Sequence, residues 1–214
     1  MVVVIRGRPR EGPDEDAARW GRRPRHGRAW LKAAALGIGV PIVLGALVVL
    51  VAGRPLAFEA VTRITARKFP DVQWIDRAEL ARWREDPARA RPVVLDARTA
   101  IEYEVSHLKD ALRIDPYRPT VRPIRKFPLD TPIVVYSSVG YRGARVAHWL
   151  GGQGYRNVRN LAGSLFQWAT EGRPVFRDGR PTLSVHPYNP WWGLLLSSRY
   201  RADAPPLEKK SAAP

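Results

Sequence analysis

The residues best placed for chemistry lie where an apolar run gives way to polar and small side chains. Pro132-Ile-Val-Val-Tyr136 is followed by Ser137-Ser138-Val139-Gly140-Tyr141-Arg142 and then by a helix-compatible stretch from about Gly143. A strand, a six-residue loop and a helix in that order make an anion cradle. Successive backbone amides of such a loop turn inward, and the helix N-terminus adds positive potential at the first loop position. That position holds Ser137, whose hydroxyl does not ionise at neutral pH without a paired base. A Ser–His arrangement would draw on His107 or His148, and it would also need an orienting acid within hydrogen-bond reach, which nothing local in the sequence supplies. Arg142 has two readings: it binds an anion over the loop, or it pairs with Glu102 and holds the loop's shape. The second is preferred. Asp96 and Arg98 are expected to fix a strand end, and His107 to be a packed, hydrogen-bonded turn residue. No cluster has metal-ligand spacing, and no cofactor motif is present.

The elements that must position this loop alternate along the chain. Val72–Ile75 reads as a short strand, and Asp76 caps a helix over Arg77–Glu85 with Ala78, Leu80, Ala81 and Trp83 on its apolar side. Pro92–Asp96, Ala111–Ile114 and Val158–Leu161 read as strands beside Pro132–Tyr136, which is rich in β-branched residues. Helices are predicted over Gly143–Leu150, ended by Gly151-Gly152, and over Ser164–Thr170. Alternation of this kind predicts an α/β domain with a mostly parallel sheet covered on both faces.

Outside that domain, at 71–176, the chain divides into four segments. Residues 1–32 are polar, Arg- and Pro-rich, and read as a disordered basic arm. Residues 33–53 carry no charged side chain and are bracketed by Lys32 and Arg54. About twenty residues at 1.5 Å each span about 30 Å, the hydrocarbon thickness of a bilayer. The run predicts a single transmembrane helix. A cleaved signal peptide fits less well, because the arm and the run are long and no Ala-x-Ala follows. Arg19, Arg22, Arg23, Arg25, Arg28 and Lys32 precede the run, whereas Arg54, Arg63, Arg67 and Lys68 follow it. The bias places the N-terminus in the cytoplasm and the domain on the outer side. Residues 54–70 read as a juxtamembrane connector, partly helical and stopped by Pro70. Residues 177–214 form an aromatic and basic extension, which either touches the membrane interface or packs over the domain, the latter being preferred.

Composition narrows the classes of function. The net charge is +16 over 214 residues, and there is no cysteine. The charge is dispersed and fits a solvated basic surface better than a nucleic-acid footprint, since no basic block alternates with aromatics. Absence of cysteine excludes disulfides, thiolate metal sites and any thiol nucleophile supplied by this chain.

Two stretches resemble the rhodanese family. The first is Asp96-Ala97-Arg98, then Glu102-Tyr103, then His107-Leu108-Lys109-Asp110-Ala111. It is similar to the family's Asp-x-Arg, Glu-Tyr and Gly-His-Ile-Pro-Gly-Ala, with Ser106 for the first Gly and Lys109-Asp110 for Pro-Gly. The second runs from Val134 through Ser137, Gly140 and Arg142, then Gly154-Tyr155, Val158, Leu161, Gly163-Ser164 and Trp168. It is similar to strand, Cys-x-x-Gly-x-Arg-Ser, helix, Gly-Tyr, Val-x-x-Leu, Gly-Gly and Trp. The resemblance covers about half of the chain. It implies a five-stranded, mostly parallel sheet with helices on both faces, and a loop, Ser137–Arg142, that in the family stabilises a cysteine thiolate or persulfide. Ser137 stands at the cysteine's position. Oxygen does not carry sulfane sulfur as a persulfide does, so the resemblance implies a loop without its usual reaction. The expected function is a catalytically silent, membrane-anchored module that binds a small anion or a partner protein. The alternatives are a sulfurtransferase-related enzyme working with an external thiol or persulfide, and a structural scaffold in a membrane complex.

Overall fold

In the computed structural model, which describes residues 53–203, local signals set each element before packing completes it. Helix α1 covers 53–68, with Pro55 in its first turn, and ends just before Phe69-Pro70. Helix α2 (Arg77–Glu85) opens on Asp76, whose carboxylate accepts from the Glu79 amide at 2.7 Å. Helix α3 (Ala100–Val105) opens on a reciprocal capping box between Thr99 and Glu102. Helices α4 (Tyr141–Gly152), α5 (Ser164–Thr170) and α6 (Pro190–Gly193) follow.

Five strands, β1 (Gln73–Ile75), β2 (Val93–Asp96), β3 (Leu112–Arg113), β4 (Ile133–Tyr136) and β5 (Val158–Leu161), form one sheet in the order β1-β5-β4-β2-β3. Every pairing in it is parallel. A separate antiparallel hairpin joins β6 (Val175–Arg177) to β7 (Arg180–Thr182). Successive strand residues face opposite sides, and the two cores follow that alternation. Val94, Val134, Tyr136 and Leu161 pack with Phe58 of α1, Leu80 and Trp83 of α2, and Leu165, Phe166 and Trp168 of α5. Leu95, Ile133, Val135 and Val158 pack with Ala144, Val146, Ala147 and Leu150 of α4. β4, at the sheet's centre, is buried along its whole length, and parallel strands covered on both faces are apolar for that reason.

Several expectations need adjustment. Helix α4 begins at Tyr141, not near Gly143, so the loop is Ser137–Gly140 and Arg142 lies in the helix's first turn. Gly140, at φ 110°, makes the turn that starts the helix early. Helix α3 and the β6–β7 hairpin are additional to the elements read from the sequence. Residues 54–68, read as a partly helical connector, are helical throughout, and Phe58 is 4% exposed in the buried cluster that also holds Val185, Leu196 and Tyr200 of the C-terminal segment. Within that segment the Val185 amide donates to Tyr200 O at 2.7 Å and the Ala202 amide to Val185 O at 3.0 Å, which closes the segment on itself. The basic arm at 1–32, the predicted transmembrane run before Gly53 and the chain after Asp203 lie outside the described residues. Among the described residues, no helix is long and apolar enough to cross a membrane.

Candidate functional site

The C-terminal ends of β2 and β4 carry the site. Ser137 follows β4 directly and is 1% exposed; Ser138 is 3% exposed. The Ser137 hydroxyl accepts from the Gly140 amide at 3.0 Å. The carbonyls of Ser137 and Ser138 are where an unbroken helix would accept from Tyr141 and Arg142. They accept instead from Leu165 and Phe166 of α5, each at 3.0 Å. The first-turn amides of α4 therefore have no helical acceptor behind them, which is the arrangement that favours negative charge at a helix start.

Two side chains outside the loop hold its shape. Ser164 Oγ accepts from the Ser137 amide at 3.1 Å and donates to Leu161 O at 3.1 Å. Ser164 sits at φ 49° after Gly163 at φ 67°, a conformation that costs a side-chain-bearing residue roughly 1–2 kcal/mol. Its two hydrogen bonds offset that cost. Asn160 of β5 donates from Nδ2 to Gly140 O at 3.0 Å. Gly143 has no room for a side chain: a Cβ there would overlap Asn160 Oδ1 and lie 3.2 Å from the Tyr136 carbonyl carbon.

The charged residues form two hydrogen-bonded sets. Arg142 grips Glu102 with both arms, Nη1 to Oε2 at 2.7 Å and Nη2 to Oε1 at 2.6 Å, and Nη2 also reaches Ser138 Oγ at 2.9 Å. Ser138 Oγ donates to Glu102 Oε1 at 2.9 Å. Burial works to raise the Glu102 pKa, but the Arg142 hydrogen bonds and charge, with Arg98 and the Thr99 amide, bring it down to about 2. Arg142 thus takes the shape-holding role, with its guanidinium directed to Glu102. Below it, Arg98 Nη2 bonds Asp96 Oδ2 at 2.7 Å, both side chains being fully buried. Tyr136 donates its hydroxyl to Asp96 Oδ2 at 2.5 Å and accepts from the Leu108 amide at 2.9 Å. Burial, followed by the Asp96 charge, pushes the Tyr136 pKa well up. Burial would lower the Arg98 pKa, but Asp96 more than reverses this and the guanidinium stays charged. Asp96 is the last residue of β2, and Arg98 follows it by two positions.

His107 stacks on the Tyr103 ring at 3.9 Å, with Nδ1 3.0 Å from Tyr103 O. His148 Nδ1 lies 2.7 Å from Asp71 on an exposed face. Ser137 is bonded to Gly140 and to neither histidine. Among the described residues, no group of three or more His, Cys, Asp or Glu residues could hold a metal ion. Val139, 9% exposed, packs in the core cluster that includes the C-terminal segment, and the Tyr188 ring of that segment lies 4.6 Å from the Arg142 guanidinium. Sequence reasoning did not assign Ser164, Asn160, Tyr136 or Tyr188 to the site. Gly163-Ser164 carried a trace of it, because a Gly followed by Ser at a helix start is compatible with paired positive φ angles.

Comparison with known proteins follows the same boundaries. The sequence model of the rhodanese-like domain matches residues 76–171. A protein named sulfurtransferase from Allochromatium vinosum is 31% identical over 83 residues, which are 39% of this chain and 77% of that protein. The tRNA uridine(34) hydroxylase of Erwinia tasmaniensis is 30% identical over 105 residues, 47% of this chain but only 29% of that enzyme. The crystal structure of a thiosulfate sulfurtransferase from Pseudomonas aeruginosa superposes with a TM-score of 0.44 at 27% identity, over 50% of this chain and 20% of that one. With the Allochromatium relative aligned over most of its length, and the family match spanning α2 to the end of α5, this chain belongs to the rhodanese-like domain family.

Proposed function

We propose that this protein is a catalytically silent rhodanese-like domain, anchored in a membrane by residues 33–53 and facing the outer side, whose loop recognises a partner protein or a small anion. The observation that carries the reading is the residue at the head of the loop. Ser137 occupies the place where the family's reaction needs a thiolate, and the chain contains no cysteine that could substitute. A serine hydroxyl neither ionises here nor carries sulfane sulfur, while the amide of Gly140 and the start of α4 keep an environment suited to negative charge. With Ser137–Gly140 all buried, Tyr141 and Arg142 in the first turn of α4, both half-buried, are the residues next to the loop that a partner can reach. The anchor and its orientation are supported by the uncharged run and by the excess of basic residues before it.

The test is sulfur transfer from thiosulfate to cyanide by the purified protein, with and without Ser137→Cys. The natural chain is expected to show none above background. The introduced thiol is expected to titrate below the ordinary value of about 8.5, because it inherits the Gly140 amide and the α4 start. Turnover by the natural chain would overturn the silent reading. A thiol at its ordinary pKa would instead favour a scaffold that does not use the loop. The rival reading, an enzyme that borrows a thiol or persulfide from a partner, has on its side the name of the Allochromatium relative. It predicts turnover once a persulfide donor is supplied.

A further inference from the structure

The apolar side chains around α6 divide into two groups. Leu196 is fully buried and Leu195 packs against the core, but Trp191 is 81% exposed, Leu194 54% and Trp192 37%. Single exposed apolar residues are ordinary on a protein surface; adjacent large ones call for a partner. The exposure is built into the local fold. Asn189 Oδ1 accepts from the Trp192 amide at 2.9 Å, Pro190 starts the helix, and buried Gly193 closes against Pro187 where a Cβ would stand 2.9 Å from the proline Cβ. Leu194 also lies beside the first turn of α1, because Arg54 Nε donates to Leu194 O at 3.1 Å. Leu56, in that same turn, is 68% exposed. Leu56, Trp191, Trp192 and Leu194 are thus exposed on two segments, the first turn of α1 and α6 with its C-cap, that the Arg54–Leu194 hydrogen bond joins.

The chain itself indicates what these two segments face. The uncharged run ends at Gly53, and Gly53–Leu56 is helical. Four residues at about 1.5 Å each advance about 6 Å. A bilayer about 30 Å thick in hydrocarbon and 40–45 Å with headgroups leaves roughly 5–8 Å of interface on each side. If the run spans the hydrocarbon, Leu56 and the α6 side chains beside Arg54 fall within that layer, where tryptophan rings and arginine beside phosphate are favoured.

We propose that Trp191, Trp192 and Leu194, together with Leu56, form a second membrane contact that seats the domain against the headgroup layer of the bilayer. This rests on the anchor reading above. The absence of cysteine makes it directly testable: Trp191→Cys and, separately, Leu56→Cys each give the full chain a single site for a nitroxide label. The protein is reconstituted in mixed phosphatidylcholine–phosphatidylglycerol vesicles. Each label's collisions with dissolved oxygen and with a water-soluble nickel chelate are then compared with those of a label at Asp178→Cys. Asp178 lies in the β6–β7 turn, with its side chain 93% exposed. The expected result is a several-fold loss of nickel collisions and a gain of oxygen collisions at 191 and 56, relative to 178. Labels as open to nickel as the reference, in protein that still pellets after carbonate treatment, overturn the second contact and leave the anchor standing. Labels shielded from both reagents mean that a protein covers the patch, and this too overturns it. Protein that stays in the supernatant refutes the anchor and the second contact together.

Discussion

At the scale of single residues, the site depends on the buried Glu102–Arg142 pair. Glu102 falls from an ordinary 4.5 to about 2, with burial opposing the shift and Arg142 driving it. The folded value is the lower one, so the pair's contribution to stability is complete above about pH 4.5 and is lost as pH falls towards 2. A shift of this size corresponds to about 3 kcal/mol. Glu102→Gln is therefore expected to destabilise the domain by about that amount at neutral pH and to flatten its acid unfolding between those limits, read as denaturant midpoints across the range. An unchanged acid profile would mean that another carboxylate governs it. Gly143 offers a second residue-scale test. Gly143→Ala should cost roughly 1–3 kcal/mol through overpacking against Asn160 and the Tyr136 backbone. Combining it with Asn160→Ser should cost less than the sum of the two single changes, because the overlap is relieved. Strict additivity in the thermal melts would remove Asn160 as the obstacle.

At the scale of elements, α1 and the C-terminal segment act as parts of the fold. Phe58 of α1 is 4% exposed among Val185, Leu196 and Tyr200, which belong to a stretch more than a hundred residues away in sequence. Phe58→Ala is expected to cost about 3–5 kcal/mol, the usual range for deleting a buried aromatic ring. A free connector would tolerate the change within about 0.5 kcal/mol, as exposed sites do. Chemical denaturation of the full chain separates the two outcomes. The same packing brings Tyr188 over Arg142, so the segment that braces α1 also lies against the loop's rim.

At the scale of the whole molecule, the proposed anchor, basic arm and outward domain make a directional prediction. The full chain should remain with membranes through high salt and carbonate. Protease applied from the outer side should then digest the domain while the N-terminal arm stays protected. Release by salt alone would reduce the attachment to a surface charge effect, which a net charge of +16 could supply at low ionic strength. Protection of the domain with digestion of the arm would reverse the topology.

The sequence by itself determined what local physics writes into a short window. The strand runs were legible because central parallel strands must be apolar on both faces, and α2 because Asp76 and the spacing of Leu80 and Trp83 define its start and its buried side. The loop's place after β4 followed from residue types, whereas reading Ser137 as the family's thiol position rested on the resemblance alone. Tertiary structure decided the rest. Helix α3 is six residues long, too short for periodicity to reveal, and only the fold shows that Glu102, read from sequence as a partner for Arg142, also caps a helix. Helix α4 starts at Tyr141 because Gly140 turns the chain there at φ 110°, and it reaches no further back because the Ser137 and Ser138 carbonyls are taken by α5, a competition that no window around the loop contains. The packing of α1 against the C-terminal segment is set by long-range burial. So is the exposure of Trp191 and Trp192, because apolarity alone does not tell whether the folded chain has a surface to cover them.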